Sequence, residues 1–263
     1  MGKRIRTVLI VVLVLVFAFS GYQLYRELKM QKESADVHAE MEDFVHIPDT
    51  KPDKDPDVTD PDGPNETEPE ETAPPYVYPA VDFAGLKDIN EECVGWIYIE
   101  DTRINYPVMQ GKDNDYYLNH LITKKWNGGG SIFMDYRVSA DIPDQHTILY
   151  GHRLKNGNMF HGITKYKKQS YYESHPTGFY ITPEQTYLIE FFSAFVVSAE
   201  EDAWKVQFAT DEEYGDWLQR AKDRSLFKSP VSPTATDKVI TMSTCTYEIE
   251  DARFVLLGIL IPI

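Results

Sequence analysis

Hydrophobic positions divide the chain into three stretches of different rhythm. From Val8 to Phe19 every side chain is apolar, Lys3, Arg4 and Arg6 stand before the run, and Ser20, Gly21, Tyr22 and Leu24 follow it. A helix over residues 7–25 has roughly the 18 to 20 residues needed to cross a bilayer, with Tyr22 and Tyr25 at the far interface and the basic tail, residues 1–6, kept in the cytoplasm. A leader cleaved near Ala18-Phe19-Ser20 is the competing reading. The apolar pattern runs past that site through Leu24 and Leu28, which favours a retained anchor; both readings export everything after residue 25.

The second stretch has no apolar period at all. Residues 48–75 hold eight prolines and ten acids against Lys51 and Lys54, a net charge of -8. Such a segment has almost nothing to bury, and proline and self-repulsion keep it extended. Residues 26–78 are therefore expected to form an extracytoplasmic stalk that carries a folded domain over residues 79–263.

Within that domain the rhythm becomes that of strands. Val94–Ile99, Ile104–Met109, Ser131–Met134, Thr147–Tyr150, Phe179–Thr182, Tyr187–Val197, Lys238–Thr244 and Arg253–Ile261 are rich in Ile, Val, Tyr and Phe and are separated by Gly, Pro, Asp and Asn. This is the pattern of a mainly β domain, sandwich or barrel. Two helices are added. Val81, Phe83, Leu86 and Ile89 suggest a short opening helix, which Gly85 weakens. Thr210-Asp211-Glu212-Glu213 reads as a capping box ahead of Tyr214, Trp217, Leu218 and Ala221 at helical spacing, which predicts a helix over 210–224.

Composition narrows the chemistry. A formal net charge of -16 in 263 residues lacks the basic surface that phosphate backbones require, which excludes nucleic acid as a partner. The only cysteines are Cys93 and Cys245, so no disulfide framework stabilises the domain. Cys93, beside Val94 and Trp96, reads as a small buried hydrophobe. No His or Cys pair has metal-ligand spacing, and no cofactor is implied.

Cys245 differs from Cys93 in its setting. It closes the strand Val239–Thr244 and precedes a polar loop, which is where strands deliver functional groups. The next strand opens with Arg253; if the two pair as neighbours, the guanidinium returns close to Cys245, placed for a carbonyl oxygen or an oxyanion. Of the seven histidines, His152 follows the strand Thr147–Tyr150 on a loop bearing Asn156 and Gly157, a position suited to proton transfer. Residue type alone does not separate His152 from His146.

A resemblance does. Thr241-Met242-Ser243-Thr244-Cys245 followed by Arg253 resembles the sortase signature, a Thr-x-x-Thr-Cys strand with an arginine on the next strand. Tyr150-Gly151-His152 with Asn156-Gly157 and Met159-Phe160 resembles the histidine loop of class B sortases. Val94-Gly95-Trp96-Ile97, Tyr106-Pro107-Val108 and Asp113-Asn114-Asp115-Tyr116-Tyr117-Leu118 are further matches, so that the likeness spans residues 80–263. Ser243 and the 210–224 helix are similar to class B rather than class A, and Met242 stands where the family usually has leucine.

The resemblance implies an eight-stranded β-barrel with an N-terminal helix and a long helix before the cysteine strand. It implies a cysteine transpeptidase with Cys245 as nucleophile, His152 as acid and base, and Arg253 as the group that steadies substrate and oxyanion. Ser243, Thr244, Asn114, Tyr117 and Leu118 are expected to contact substrate. The implied partners are secreted proteins with a C-terminal Pro-x-Thr-type sorting signal, an amine of a peptidoglycan precursor or a pilin as acceptor, and the lipid bilayer through the N-terminal helix. A secreted cysteine protease or peptidoglycan hydrolase and a non-catalytic stalked adhesin are the alternatives that the residues leave open.

Overall fold

The computed structural model describes residues 2–48, 76–142, 144–198, 201–245 and 252–263, with the side chains of Lys3, Arg4 and Cys245 excepted. The acidic, proline-rich segment and the loop after Cys245 lie outside the described residues. All eight strand-like runs are strands. They are β1 (Cys93–Tyr98), β2 (Asn105–Met109), β3 (Ile132–Met134), β4 (His146–Tyr150), β5 (Thr177–Ile181), β6 (Thr186–Ser198), β7 (Lys238–Cys245) and β8 (Ala252–Pro262). They close into a barrel in the order β8-β6-β5-β1-β2-β3-β4-β7. Two joins are parallel, β2 with β3 and β4 with β7; the others are antiparallel.

The near-continuous apolar run of β8 follows from burial on both of its faces. Phe254, Leu256 and Leu260 join the barrel interior with Ile240 and Met242 of β7. Val255 and Leu257 point the other way, onto α4 (Asp211–Asp223), the helix that follows the short α3 (Gln169–Ser174), where Tyr214, Trp217, Leu218 and Ala221 supply the facing stripe. The predicted cap of α4 forms, with Thr210 Oγ1 accepting from Glu213 N at 3.1 Å. The return arm is displaced by one residue: Glu213 Oε2 accepts from the backbone N–H of Ala209, at 2.7 Å, rather than from Thr210.

Gly85 does not weaken the opening helix, α2 (Phe83–Ile89), but is required there. A Cβ at this position would stand 2.4 Å from the Phe44 ring. Asp82 caps the helix by accepting from Gly85 N at 3.0 Å.

The N-terminal helix α1 (Gly2–Glu42) is longer than the apolar run that predicts it. It contains a stretch long and apolar enough to cross a membrane, and its apolar side chains from Val8 to Phe17 are exposed. Past Tyr25 the helix continues and its last turns pack on the barrel. Asn127 Nδ2 donates to Met30 O at 2.9 Å, Lys125 pairs with Glu33, the His38 ring meets Tyr106 edge-on at 4.9 Å, and Met41 enters a core cluster with Leu86 and Trp96. Met30, Ser34, Val37, His38 and Met41 recur at three- and four-residue spacing, a helical stripe inside a stretch whose charged residues read as stalk.

Deleting a side chain that β8 buries has a calculable cost. Leu256→Ala is expected to destabilise the full chain by about 2–5 kcal/mol, read as a lowered urea midpoint. Leu226→Ala, at a half-exposed position, is expected to stay within about 0.5 kcal/mol.

Candidate active site

Strand register assembles the site. In the parallel β4–β7 ladder Tyr150 stands opposite Ser243, so His152 and Cys245, each two residues further on, leave the sheet at the same rim. Gly151 N extends the ladder by one bond, donating to Ser243 O at 3.1 Å. In the antiparallel β7–β8 ladder the Cα of Arg253 is the partner of the Cα of Cys245. Three positions far apart in sequence thus share one end of two ladders.

A groove of about 280 Å³ opens there, lined by Asn114, Leu118, Tyr150, His152, Trp204, Ser243, Thr244 and Arg253, with Phe133 and Gly151 in its floor. His152 Nε2 lies 2.6 Å from Leu118 O. A carbonyl only accepts, so this nitrogen carries a proton, and the bond ties the histidine loop to the 113–118 segment. Gly151 is demanded by packing: a Cβ would stand 2.3 Å from Ile132 Cδ1 and 2.8 Å from the Phe160 ring. Arg253 is half-buried at the rim, and its Nη1 donates to Ala252 O at 3.3 Å.

The expected substrate contacts divide. Asn114, Leu118, Ser243 and Thr244 line the groove. Tyr117 does not: its side chain is fully buried in a core cluster with Trp96 and Phe133, its hydroxyl donates to Glu92 Oε2 at 2.5 Å and accepts from Asn90 Nδ2 at 2.9 Å. Alternation about the short 3-10 turn Tyr116–Leu118 sends Leu118 outward and Tyr117 into the core. Cys93 is a free, fully buried thiol, and burial pushes it up to about 11. Such a thiol is not a nucleophile.

His146, the histidine that residue type left beside His152, is buried under α4. Its Nδ1 lies 2.8 Å from Lys205 O and its Nε2 2.7 Å from Thr241 Oγ1. The carbonyl fixes the proton on Nδ1, so Nε2 accepts from the threonine hydroxyl. Burial pushes the ring down to about 4, against the opposing effect of the Lys205 carbonyl.

Beneath the groove lies a polar network of which only Tyr150 stands in a motif read from the sequence. Tyr150 Oη donates to Asp135 Oδ2 at 2.8 Å, and Arg137 grips the same carboxylate through Nε at 2.9 Å and Nη2 at 2.7 Å. Burial opposes the charge of Asp135, but donors from Arg137 and Tyr150 together outweigh it and hold the carboxyl below its ordinary range. Arg137 Nη2 also donates to Trp204 O at 3.0 Å, and Tyr136 N donates to Asn114 Oδ1 at 3.1 Å. Both walls are therefore fastened to one strand end. The period of β4 puts Tyr150 two residues from His152, a usable signal; nothing in the sequence marks Trp204.

The Sortase domain family model matches residues 97–260. The chain belongs to the sortase family. It is 37% identical over 178 residues to sortase B of Listeria monocytogenes, covering 67% of this chain and 72% of that protein. It is also 37% identical over 163 residues to sortase B of Staphylococcus aureus, covering 62% of this chain and 67% of the relative. Among solved structures it is similar to S. aureus sortase B, with a TM-score of 0.66 and 36% identity over 69% of this chain and 87% of that one. The sortase B of Bacillus anthracis gives 0.65 and 38%, over 69% and 84%. The barrel is thus a sortase barrel of class B, and the chain a cysteine transpeptidase. Membership in this family sets aside the stalked adhesin.

His146 has a measurable signature in this sortase. Its folded value of about 4 lies below the ordinary histidine value of about 6.5. Between these limits the unfolded chain binds the additional proton, so stability is whole above about pH 6.5 and falls as pH drops towards 4. His38, also pushed down to about 4 by burial, adds to the slope. His146→Gln, which can keep both hydrogen bonds, is expected to flatten the fall in urea midpoint between pH 6.5 and 4; an unchanged slope would contradict the buried neutral ring.

Proposed function

We propose that this sortase is a single-pass membrane protein, N-terminus in the cytoplasm and barrel outside, that cleaves a Thr-containing C-terminal sorting motif of secreted proteins and passes the acyl group to an amine. What carries the reading is the pairing of Arg253 with Cys245 on one side and of Tyr150 with Ser243 on the other, which brings His152, Arg253 and the end of the cysteine strand to one groove. In this reading the chain comprises a basic tail over 1–6, an anchor over 7–25, a segment over 26–78 whose helical part to residue 42 docks on the barrel, and a catalytic domain over 79–263.

The cycle has two covalent half-steps. The Cys245 thiolate adds to the threonine carbonyl carbon, and the oxygen takes the negative charge beside the Arg253 guanidinium. The C–N bond breaks as His152 delivers a proton to the departing amine, leaving a thioester on Cys245. An incoming amine loses its proton to His152 and displaces the sulfur, which restores the thiolate and forms a new amide. No metal or cofactor enters these steps.

Groove shape sets the substrate. Ser243, Thr244, Asn114 and Leu118 contact the residues around the threonine, and Trp204 forms the opposite wall. A Pro-x-Thr-type signal suits this groove, lined by apolar Leu118, Phe133 and Trp204 beside polar Asn114, Ser243 and Thr244, because proline arrives already extended. The acceptor is an amine of a peptidoglycan precursor or a pilin lysine. A cysteine hydrolase is distinguished from this reading by its indifference to added amine.

Cys245→Ala in the full chain is expected to abolish transfer of a Thr-containing peptide to an amine nucleophile. His152→Ala and Arg253→Ala are expected to lower kcat by about 10²–10³. Product analysis by mass spectrometry decides the matter. Undiminished transfer in these variants overturns the assignment, and peptide cleavage at a rate and with a product unaffected by amine points to a hydrolase.

A further inference from the structure

The charge of this acidic chain is unevenly placed. Beside the end of its apolar helix, cations gather. A cleft of about 410 Å³ separates α1 from two loops, with Gln23, Arg26 and Met30 on the helix side and Gly128, Arg153 and Lys155 opposite. Lys29 and Lys32 are exposed on the same turns of α1, and Lys124 and Lys125 precede the cleft's second wall. Among the described residues the nearby carboxylates are Glu27 in the cleft, Glu33 paired with Lys125, Asp36 and Glu40 in a groove with Lys29 and Lys32, and Glu92 at 3.6 Å from Lys124. Seven cations face five acids among the described residues, a local excess of positive charge in a protein whose net charge is -16. Trp126, 52% exposed, stands among them.

Helix geometry gives the height of this surface. At 1.5 Å per residue, Met30 stands about 8 Å and Glu33 about 12 Å along the axis from Tyr25. The polar layer of a leaflet is about 5–7 Å deep and the field of its charges reaches about 8 Å further at physiological salt. The contacts of α1 hold the two loops at this height: Asn127 is bonded to Met30 O, Lys125 to Glu33, and residues 153–156 border the cleft opposite Gln23 and Arg26.

We propose that this end of the domain is a lipid-contacting surface that seats the barrel on an anionic leaflet. The surface joins cations of α1, of the 124–129 loop and of the 153–156 loop, with the exposed indole of Trp126 suited to an interface. The partner is the phosphate-bearing headgroup layer, rather than a soluble polyanion, because the cations surround the emerging apolar helix. The loop after His152 would then lie at the membrane surface, and the groove would open beside it. The inference rests on the reading of α1 as a membrane anchor.

The test is hydrogen–deuterium exchange on the full chain, reconstituted in nanodiscs of phosphatidylcholine alone or with phosphatidylglycerol. Co-elution with the discs reports the anchor by itself, so that a failure of that reading is seen before exchange is measured. In anionic discs the amides of residues 124–129 and 153–157 are expected to exchange at least about fivefold more slowly than in zwitterionic discs, the factor that one cation contributes at such a surface. The difference is expected to vanish at ~0.5 M salt, where the screening length is about 4 Å, and in the Lys29→Glu/Lys32→Glu/Lys155→Glu variant. Exchange in β8 reports in the same experiment that the barrel is intact, and the salt arm needs no variant. Equal exchange in both lipids with the chain in the disc overturns the proposal, as does equal protection by inorganic phosphate in detergent.

Discussion

The parallel ladder between β4 and β7 is the constraint on which the site depends. Parallel neighbours cannot be joined by a tight turn, and here the connection runs through β5, β6 and α4 before β7 returns beside β4. Its register decides what meets what. A slip of one residue would move Ser243 away from Tyr150 and turn each side chain of β7 to the opposite face. That slip is opposed from both sides, because Ile240 and Met242 fill the barrel while Val239 packs under α4.

The polar side chains beneath the groove support this arrangement. Asp135 receives Tyr150 and Arg137, Arg137 holds the Trp204 carbonyl, and His146 holds the next carbonyl along, that of Lys205. A wall formed by a loop is thereby attached to two barrel strands. Buried polar groups of this kind are costly when half-satisfied and rigid when complete. Here Asp135, Tyr150 and His146 each have partners of the right donor or acceptor type, which keeps the groove wall in one position. The His152 loop is fastened in a similar way, through Leu118 O at one end and Arg103 Nη1, which donates to Asn156 O at 2.8 Å, at the other.

Helix α1 gives the sortase barrel a second role for its N-terminal segment. The exposed apolar turns and the docked polar turns belong to one continuous helix, so the domain cannot rotate freely about the apolar turns while Met41, His38 and Asn127 keep their contacts. On the proposed reading of α1 as an anchor, a helix that both spans and docks would fix the angle at which the groove meets the membrane. The proposed lipid surface is the consequence of that geometry for the cations beside the emerging helix.

Local pattern was sufficient for much of this. The runs rich in Ile, Val, Tyr and Phe located all eight strands, the capping box located α4, the strand ends marked Cys245 and Arg253, and the resemblance to the sortase histidine loop chose His152 over His146, because each of these signals is written in neighbouring residues. What the pattern could not supply was pairing. Whether the strands form a sandwich or a barrel, that β4 lies beside β7, that Tyr117 turns inward while Leu118 faces the groove, and that Trp204 and Asp135 belong to the site all depend on contacts between residues dozens of positions apart. The polar turns of α1 resembled a stalk for the same reason: their helical stripe becomes meaningful only when a barrel surface is present to bury it.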